Sequence, residues 1–319
     1  MRGFWDKLPK PFFVLAPMAD VTDASFRRVI AKYGKPDATW TEFVSADGLI
    51  RAPKEGKKKL LADLMYDDSE RPIVAQLFSS HPKMMEQAAA LVKDLGFDGL
   101  DINMGCPDRS IEKQGAGAAH IKDPSRAQEV ILAARQGAKG LPISVKTRLG
   151  YNEDELDSWL PQLLEMKLAA VTIHARTRKE MSKVSARWDR VQRAVEIRND
   201  VSPETLILGN GDTENLEDAR QKVKDFGADG AMLGRAIFGN PWLFSGRVPS
   251  LEEKLSVMVE HTKLFEELLP HKSFALMKKH YKAYVAGFDG ASELRAELME
   301  APDAAEVERI VTRFLKKIQ

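Results

Sequence analysis

The sequence predicts an α/β protein, a (β/α)8 TIM barrel followed by a C-terminal all-helical domain. Eight short apolar runs occur within residues 12–234, and a longer helical pattern follows most of them. The runs do not alternate cleanly, as expected for parallel strands that are buried on both faces. Eight strands alternating with helices match a barrel. The runs are Phe12–Met18, Asp37–Phe43, Pro72–Phe78, Asp98–Asn103, Pro142–Arg148, Ala170–His174, Leu206–Gly209 and Gly230–Gly234.

A doubly wound sheet would show the same alternation of strands and helices. That fold usually carries Gly-x-Gly-x-x-Gly after its first strand, and no such motif follows Phe12–Met18. The barrel is therefore favoured. Helices are predicted between the runs, and several begin with Pro or a capping residue. They include Ala24–Tyr33, Pro82–Leu95, Pro124–Gln136 and Asn215–Phe226.

The strand pattern stops after Pro249. Apolar residues then fall on one helical face within 251–268 and again within 307–318, and Asp303 with Glu306 forms a capping-box pattern before the second of these helices. We therefore predict a barrel domain over residues 1–246 and a helical domain over 247–319.

Composition predicts a soluble, cytoplasmic protein. Of the 319 residues, 44% are hydrophobic and 30% charged, and no apolar run is long enough to span a membrane. The N-terminal residues lack the apolar stretch of a signal peptide. A single cysteine, Cys106, excludes an internal disulfide. We expect no membrane contact, no metal cofactor and no obligate protein partner.

Basic residues are concentrated in three segments although the formal net charge is only +1. The segments are 51–59, 176–193 and 271–282, and the last of them contains four lysines and no acid. A solvated surface is the ordinary explanation for any one such segment.

A polar, charged or glycine position ends every predicted strand. Because catalytic groups of barrel enzymes come from the C-terminal ends of strands, we predict the active site there. The positions are Pro17-Met18, Glu42, Gln76, Asn103, Lys146, His174, Asn210 and Gly234-Arg235.

These side chains are suited to a reduced flavin. Gln76 could bond to the pyrimidine edge of the ring, and Lys146 could place positive charge beside N1 and O2. Alternatively, Lys146 extends from the barrel mouth into solvent, and His174 is an ordinary histidine of the barrel rim. Phosphate needs backbone N–H groups, which the turns at 209–212 and 234–235 could supply after strands seven and eight.

Cys106 lies in the loop after strand four, between Gly105 and Pro107. A lone cysteine is usually a small buried apolar residue, but the loop position favours chemistry. Its thiol, with an ordinary pKa of about 8.5, is mostly protonated near neutral pH and could donate a proton.

Several motifs together resemble the dihydrouridine synthase family, in family order over residues 14–244. Pieces of the C-terminal region, Lys278–Tyr281 and Glu293–Arg295, resemble the family's helical RNA-binding domain. The barrel motifs are Ala16–Asp23, Asn103–Pro107, Val145–Arg148, Ile173–Arg178, Gly209–Asp212, Asp229–Arg235 and Gly239–Trp242.

The resemblance implies an FMN enzyme that takes hydride from NADPH (or NADH) and reduces uridines in tRNA to 5,6-dihydrouridine. Cys106 would protonate C5 of the base. The residues expected to hold FMN are Pro17, Met18, Gln76, Lys146, His174, Asn210, Gly211, Asp212, Gly234 and Arg235. Those expected to hold uracil or the RNA backbone are Asn103, Arg176, Arg178, Lys278, Lys279 and Arg295.

Two other functions remain open at this point. One is an FMN barrel oxidoreductase acting on a small molecule, like dihydroorotate dehydrogenase or an ene-reductase. The other is an RNA-binding protein that has kept a flavin fold without catalysis. The modified uridine, the choice between NADPH and NADH, and the oligomeric state do not follow from the sequence.

Overall fold

Eight parallel strands form one sheet in the computed structural model, which describes residues 2–318. Each predicted run overlaps one strand, so the eight-strand prediction is confirmed, although β2, β4 and β7 extend one or two residues beyond the predicted ends. The strands are β1 Phe12–Leu15, β2 Thr39–Ser45, β3 Ile73–Phe78, β4 Gly99–Met104, β5 Ile143–Arg148, β6 Ala170–His174, β7 Leu206–Asn210 and β8 Gly230–Leu233.

The sheet curls round on itself as in a TIM barrel. Its order is β1-β8-β7-β6-β5-β4-β3-β2. A parallel bridge between Val14 and Ala38 joins β1 to the chain entering β2. Each strand therefore has a neighbour on both sides, and the carboxyl ends of all eight strands point the same way.

Helices follow the strands in sequence, and capping side chains begin several of them at the predicted positions. Asp23, Asp123 and Asn215 each accept a hydrogen bond from a first-turn N–H of the following helix. The helices are α1 Ala24–Tyr33, α2 Ala46–Arg51, α3 Lys54–Asp63, α4 Pro82–Asp94, α5 Arg109–Glu112, α6 Pro124–Gly137, α7 Leu156–Leu164, α8 Trp188–Val201, α9 Leu216–Phe226, α10 Leu251–Leu268, α11 Lys278–Tyr284, α12 Ala291–Glu300 and α13 Ala304–Ile318.

Strand alternation divides the apolar side chains between two cores. In β1, Phe13 and Leu15 join the large core between sheet and helices, whereas Phe12 and Val14 join a smaller cluster inside the barrel. Successive strand residues point to opposite faces, so this division follows from the backbone alone. Trp5, from an N-terminal 3-10 turn, also belongs to the inner cluster.

The region after residue 250 is helical, as predicted. Helix α10 packs against α1, and its residues Leu255 and Phe265 join the same large core as Phe26 of α1. Asp303 accepts a 2.8 Å hydrogen bond from the N–H of Glu306, which is half of the predicted capping box. Because barrel and helical region share one continuous core, the division into two domains at residue 246 stays a prediction.

Within residues 2–318, no helix combines the length and the apolarity that a membrane span requires.

Candidate active site

The carboxyl ends of the strands surround a cavity of about 780 Å³. This is the end of a barrel at which catalytic groups are found. The predicted residues that line it are Pro17, Met18, Lys146, His174, Arg176, Asn210, Gly211, Asp212, Gly234 and Arg235. Another cavity, of about 790 Å³, lies at the opposite end around Lys10 and Asp37, and none of the predicted site residues is among its described lining.

Strand alternation turns the key side chains into the barrel. Asn210 lies two residues beyond Leu208 of the inner cluster, so both side chains face the barrel interior. Asn210 is the β-sheet neighbour of His174. The Nζ of Lys146 donates a 3.1 Å hydrogen bond to Oδ1 of Asn210, which brings β5 and β7 together at the cavity floor.

Lys146 is a poor candidate for a solvent-extended lysine. Burial, together with repulsion from Arg148, lowers the pKa of its ammonium group to about 8. Asp101 and Cys106 act in the opposite direction. The side chain therefore carries a positive charge into a cavity at neutral pH, where it can stabilise an anion.

His174 is neutral. Burial lowers its pKa well below the usual 6.5, and the positive charges of Lys146 and Arg148 lower it further. Its Nε2 lies 3.1 Å from Nη1 of Arg176. Because a guanidinium only donates, Nε2 accepts this bond, and the neutral ring then carries its hydrogen on Nδ1.

Arg176 has little freedom to contact a distant phosphate. Its Nε donates to the carbonyl of Val184 at 2.6 Å, and its Nη2 pairs with Asp212. Asp212 also pairs with Arg235 at 2.6 Å. The hydrogen bond from Arg176 is the largest influence lowering the pKa of Asp212, which is therefore anionic. Arg235, with a side chain 67% exposed, keeps a free guanidinium face at the cavity rim.

Three features of the β7 and β8 turns suit a phosphate group. Gly211 has a φ of +118°, and a Cβ there would lie 2.9 Å from Cβ of Ala186, so only glycine keeps this wall of the cavity open. The buried Oγ1 of Thr213, which lines the cavity, has no hydrogen-bond partner within the described residues. A 3-10 turn begins at Arg235 and adds backbone N–H groups.

Cys106 stands at the edge of this cavity. Its side chain is partly exposed, and the next residue, Pro107, lines the cavity wall. Burial raises the pKa of the thiol above its usual value. The carbonyl of Cys106 accepts a 3.0 Å hydrogen bond from Ala118, which closes the loop over residues 106–118. The thiol is therefore protonated near neutral pH and close to the cavity.

Two arginines bind this loop, one from β5 and one from the segment after β6. Nε of Arg148 donates to the carbonyl of Gly105 at 2.7 Å. Arg178, predicted to contact RNA, instead pairs with Glu112, with its Nε 2.6 Å from Oε1. Its guanidinium also lies 5.2 Å from the ring centre of Tyr151. Arg178 does not line the cavity.

Gln76 and Asn103 are buried and are not among the residues that line the cavity. Gln76 is fully buried. The Nδ2 of Asn103 donates to Oε1 of Gln76 at 3.1 Å, and the Nε2 of Gln76 donates to Asp101 at 2.6 Å. Burial raises the pKa of Asp101 to about 6.

The predicted RNA-binding residues of the helical region differ in their surroundings. Lys278 and Lys279 are half-buried, and burial lowers the pKa of Lys279 despite the nearby acids Asp20 and Glu42. Arg295 donates to the carbonyl of Val285 at 2.8 Å. The cavity at the barrel mouth does not include these residues.

Arg148, Asp101 and Thr213 are polar residues in or beside the site that were not predicted from the sequence. Arg148 and Asp101 each lie inside a predicted strand, and an arginine or aspartate within an apolar run was the signal that could have identified them. Thr213 gave no signal, because its neighbours in the chain are Asp212 and Glu214 and its burial depends on the fold.

Known proteins resemble this chain along nearly its whole length. The model of the family described as "Dihydrouridine synthase (Dus)" matches residues 14–319. A "Probable tRNA-dihydrouridine synthase" of Staphylococcus epidermidis is 39% identical over 318 residues, 98% of this chain and 96% of that protein. A "Probable tRNA-dihydrouridine synthase 2" of Bacillus subtilis is 39% identical, over 99% and 98% respectively.

A solved structure supports the fold alone. Morphinone reductase in complex with tetrahydroNAD superposes with a TM-score of 0.51 at 12% identity, covering 74% of this chain and 85% of that one. The same architecture therefore occurs in an oxidoreductase of very different sequence.

Proposed function

The chain belongs to the dihydrouridine synthase family, and from this membership we propose that it reduces particular uridines in tRNA to 5,6-dihydrouridine, with FMN bound at the barrel mouth and NADPH or NADH as reductant. The observation that carries the proposal is the meeting of Lys146, His174 and Asn210 in one cavity with Cys106 at its edge.

The cavity has room and suitable donors for FMN. A volume of about 780 Å³ lies within the range of small-molecule and cofactor sites, roughly 300–1,000 Å³. The Gly211 turn, Thr213 and Arg235 would hold the phosphate, and Pro17 with Met18 would form an apolar wall beside the ring. When bound, FMN supplies the hydride that C6 of the uracil accepts.

Lys146 would stabilise negative charge on the ring. Its ammonium is already fixed in position by Asn210, so little reorganisation is needed when charge develops. The neutral His174 would donate a hydrogen bond from Nδ1 or remain as a wall of the site, and it would not compete with Lys146 for the anion.

Cys106 would supply the proton. Adding hydride at C6 places negative charge on C5 and O4 of the base, and transfer of the thiol hydrogen to C5 completes the saturation of the double bond. The resulting thiolate then recovers a proton from water. A thiol with a raised pKa is fully protonated at neutral pH, which suits an acid in this step.

The target base must leave its stack to reach this cavity, as other base-modifying enzymes require. Basic residues near the barrel mouth would bind the RNA backbone. Helix α3, which carries Lys57, Lys58 and Lys59, has no buried residue, and Lys58 and Lys59 are exposed to solvent. With Lys278 and Lys279 they would form the phosphate-binding surface.

Two measurements test the proposal. The purified protein should be yellow and release FMN on denaturation. Mapping dihydrouridine in tRNA from a strain with and without this protein should show loss at particular positions in its absence. An unchanged map, with turnover of a small enone or dihydropyrimidine in its place, would favour the small-molecule oxidoreductase.

A further inference from the structure

Four buried polar side chains form a continuous hydrogen-bonded chain beneath the cavity. Ser144 donates to Oδ1 of Asp101 at 2.5 Å, and Gln76 donates from Nε2 to Oδ2 of the same carboxylate at 2.6 Å. Asn103 then donates from Nδ2 to Oε1 of Gln76 at 3.1 Å. The chain runs from the barrel interior towards the Cys106 loop.

The hydrogen-bonded chain of side chains ends on the backbone of the Cys106 loop. Oδ1 of Asn103 accepts hydrogen bonds from the N–H groups of Gly105, at 3.2 Å, and of Cys106, at 2.9 Å. The position of Cys106 is therefore tied to the orientation of the Asn103 amide.

A carboxylate is the one member of this chain that cannot donate, so it sets the direction of every other bond. Facing Asp101, the amide of Gln76 must present its NH2 group, and its oxygen then faces Asn103. Asn103 must in turn present its NH2 group to Gln76, which leaves its oxygen for the loop. If Gln76 turned over, Asn103 would also have to turn, and its NH2 group would face the two N–H groups of the loop.

We propose that Asp101 is a positioning residue that orients Gln76 and Asn103 and thereby holds Cys106 at the edge of the cavity. Its role rests on the proposed function, because the position of Cys106 matters for proton transfer to the base. Asp101 acts through these amides and does not touch the substrate. Its burial matters because no water competes with the Gln76 amide and the Ser144 hydroxyl for the carboxylate.

The single cysteine of the chain gives a direct measurement of this positioning. Alkylation with iodoacetamide reports only on Cys106, and its rate as a function of pH gives the apparent pKa of the thiol. Release of the loop exposes the thiol, so alkylation becomes faster and the apparent pKa falls towards its ordinary value, because burial is what raises it.

Two variants of Asp101, one milder than the other, test whether the carboxylate sets the orientation of the two amides. Asp101→Asn keeps an acceptor but permits either orientation of Gln76, whereas Asp101→Leu removes the acceptor. We expect the alkylation rate at neutral pH to rise modestly in the first and about tenfold in the second, the factor associated with losing one hydrogen bond. Ser144→Ala is the matched control, since it removes the other bond to the carboxylate and leaves the amides aligned.

Gln76→Met breaks the hydrogen-bonded chain between Asp101 and Asn103 while leaving Asp101 in place. It provides the test if the Asp101 variants fail to fold. It should reproduce the faster alkylation of Asp101→Leu. Wild-type alkylation profiles in both Asp101→Leu and Gln76→Met would overturn the proposal. These measurements need neither FMN nor tRNA, so they remain decisive if the protein proves to act on another substrate.

The kinetic effect separates positioning from RNA binding. In Asp101→Asn, we expect kcat for uridine reduction to fall and the KM for tRNA to stay within about twofold, because Asp101 is fully buried and offers no surface to RNA. A raised KM with an unchanged kcat would contradict the assigned role.

Discussion

Lys272, in the segment between α10 and α11, donates a 2.9 Å hydrogen bond from Nζ to Oε2 of Glu42 in β2. The same ammonium lies 2.9 Å from Asp63 at the end of α3. Their side chains are largely buried, 12% exposed for Lys272 and 7% for Glu42. Lys272 therefore links the helical region to the barrel, and its ammonium group is paired with carboxylates and not available to RNA.

Removing Lys272 should destabilise the protein. Lys272→Met leaves Glu42 and Asp63 as neighbouring carboxylates without a cation, and breaking a buried pair in this way costs about 3 kcal/mol. Lys263→Met is the matched control, because its pair with Glu308 is half exposed and should contribute less than about 1 kcal/mol. Urea unfolding of the two variants measures the difference. Equal stability of both would show that the Lys272 cluster does not fasten the two regions.

Two buried histidines should make the fold sensitive to acid. His261 and His280 lie 4.6 Å apart between ring centres, and their ring nitrogens have no hydrogen-bond partner in the described part of the chain. Burial lowers the pKa of His261 to about 3 and that of His280 well below 6.5. The unfolded chain binds these protons from about pH 6.5 downward while the folded chain does not, so stability falls with decreasing pH by up to about 1.4 kcal/mol per unit for each histidine.

His261→Phe should reduce this acid sensitivity, because a phenyl ring can stack on Phe26 as the imidazole does and takes up no proton. The exposed His271 provides the control variant His271→Gln, which should leave the slope unchanged. Free energies of unfolding at pH 7.5, 6 and 5 give the slopes. A His261→Phe protein that loses stability with acid as steeply as the wild type would refute the assignment.

Cys106→Ser should separate the two half-reactions. We expect NADPH oxidation and bound FMN to be retained, and uridine reduction to fall by about 10²-fold or more, the usual contribution of a general acid. The measurement is single-turnover formation of dihydrouridine in tRNA. Reduction at the wild-type rate would remove Cys106 from the reaction.

Lys146 should give the activity an alkaline limit. Its ammonium group is charged below a pKa of about 8, and an anion bound beside it raises that value further, so the rate should decline as pH rises through 8 or somewhat above. Lys146→Arg keeps a charge at every accessible pH, so its rate should not decline above pH 8, although its absolute rate is lower. If the rate of Lys146→Arg still declines above pH 8, the decline is caused by another group.

The helical region should contribute to tRNA affinity through its remaining lysines. Replacing Lys278, Lys279 and Lys282 with Ala should weaken binding and reduce the slope of log K against log salt by about two, since each phosphate contact contributes roughly 0.9. Lys278 and Lys279 are half-buried, which is the reason for expecting fewer than the full three contacts. Exposed Lys316 and Lys317 on α13 serve as the control pair, and an unchanged slope in the triple variant would exclude this region from the RNA surface.

Strand and helix positions were predictable because they depend on local patterns. The eight apolar runs each became a strand, and α1, α4, α6 and α9 begin where a capping residue or proline predicted them. The strand ends also predicted most of the cavity, since parallel strands of a barrel bring their carboxyl ends together whatever the details of packing.

The partners of the charged residues were not predictable. Arg176, Arg178 and Lys272 look equally free in the sequence, yet each is bound to a carboxylate of another element in the fold. The burial of Gln76 and Asn103 could not be predicted either, because a residue at a strand end can line the cavity or be covered by its neighbours.

The amino-acid sequence alone determined the order of strands and helices, the end of the barrel at which the cavity lined by Lys146 and His174 opens, and the single thiol beside it. Only the tertiary structure decided which cations are neutralised, and that Asp101 underlies the Cys106 loop. The reason is the range of the interactions. Turn and helix preferences act over a few residues, whereas Glu42 meets Lys272 across 230 positions of the chain, and that meeting depends on closing the barrel and docking the helices upon it.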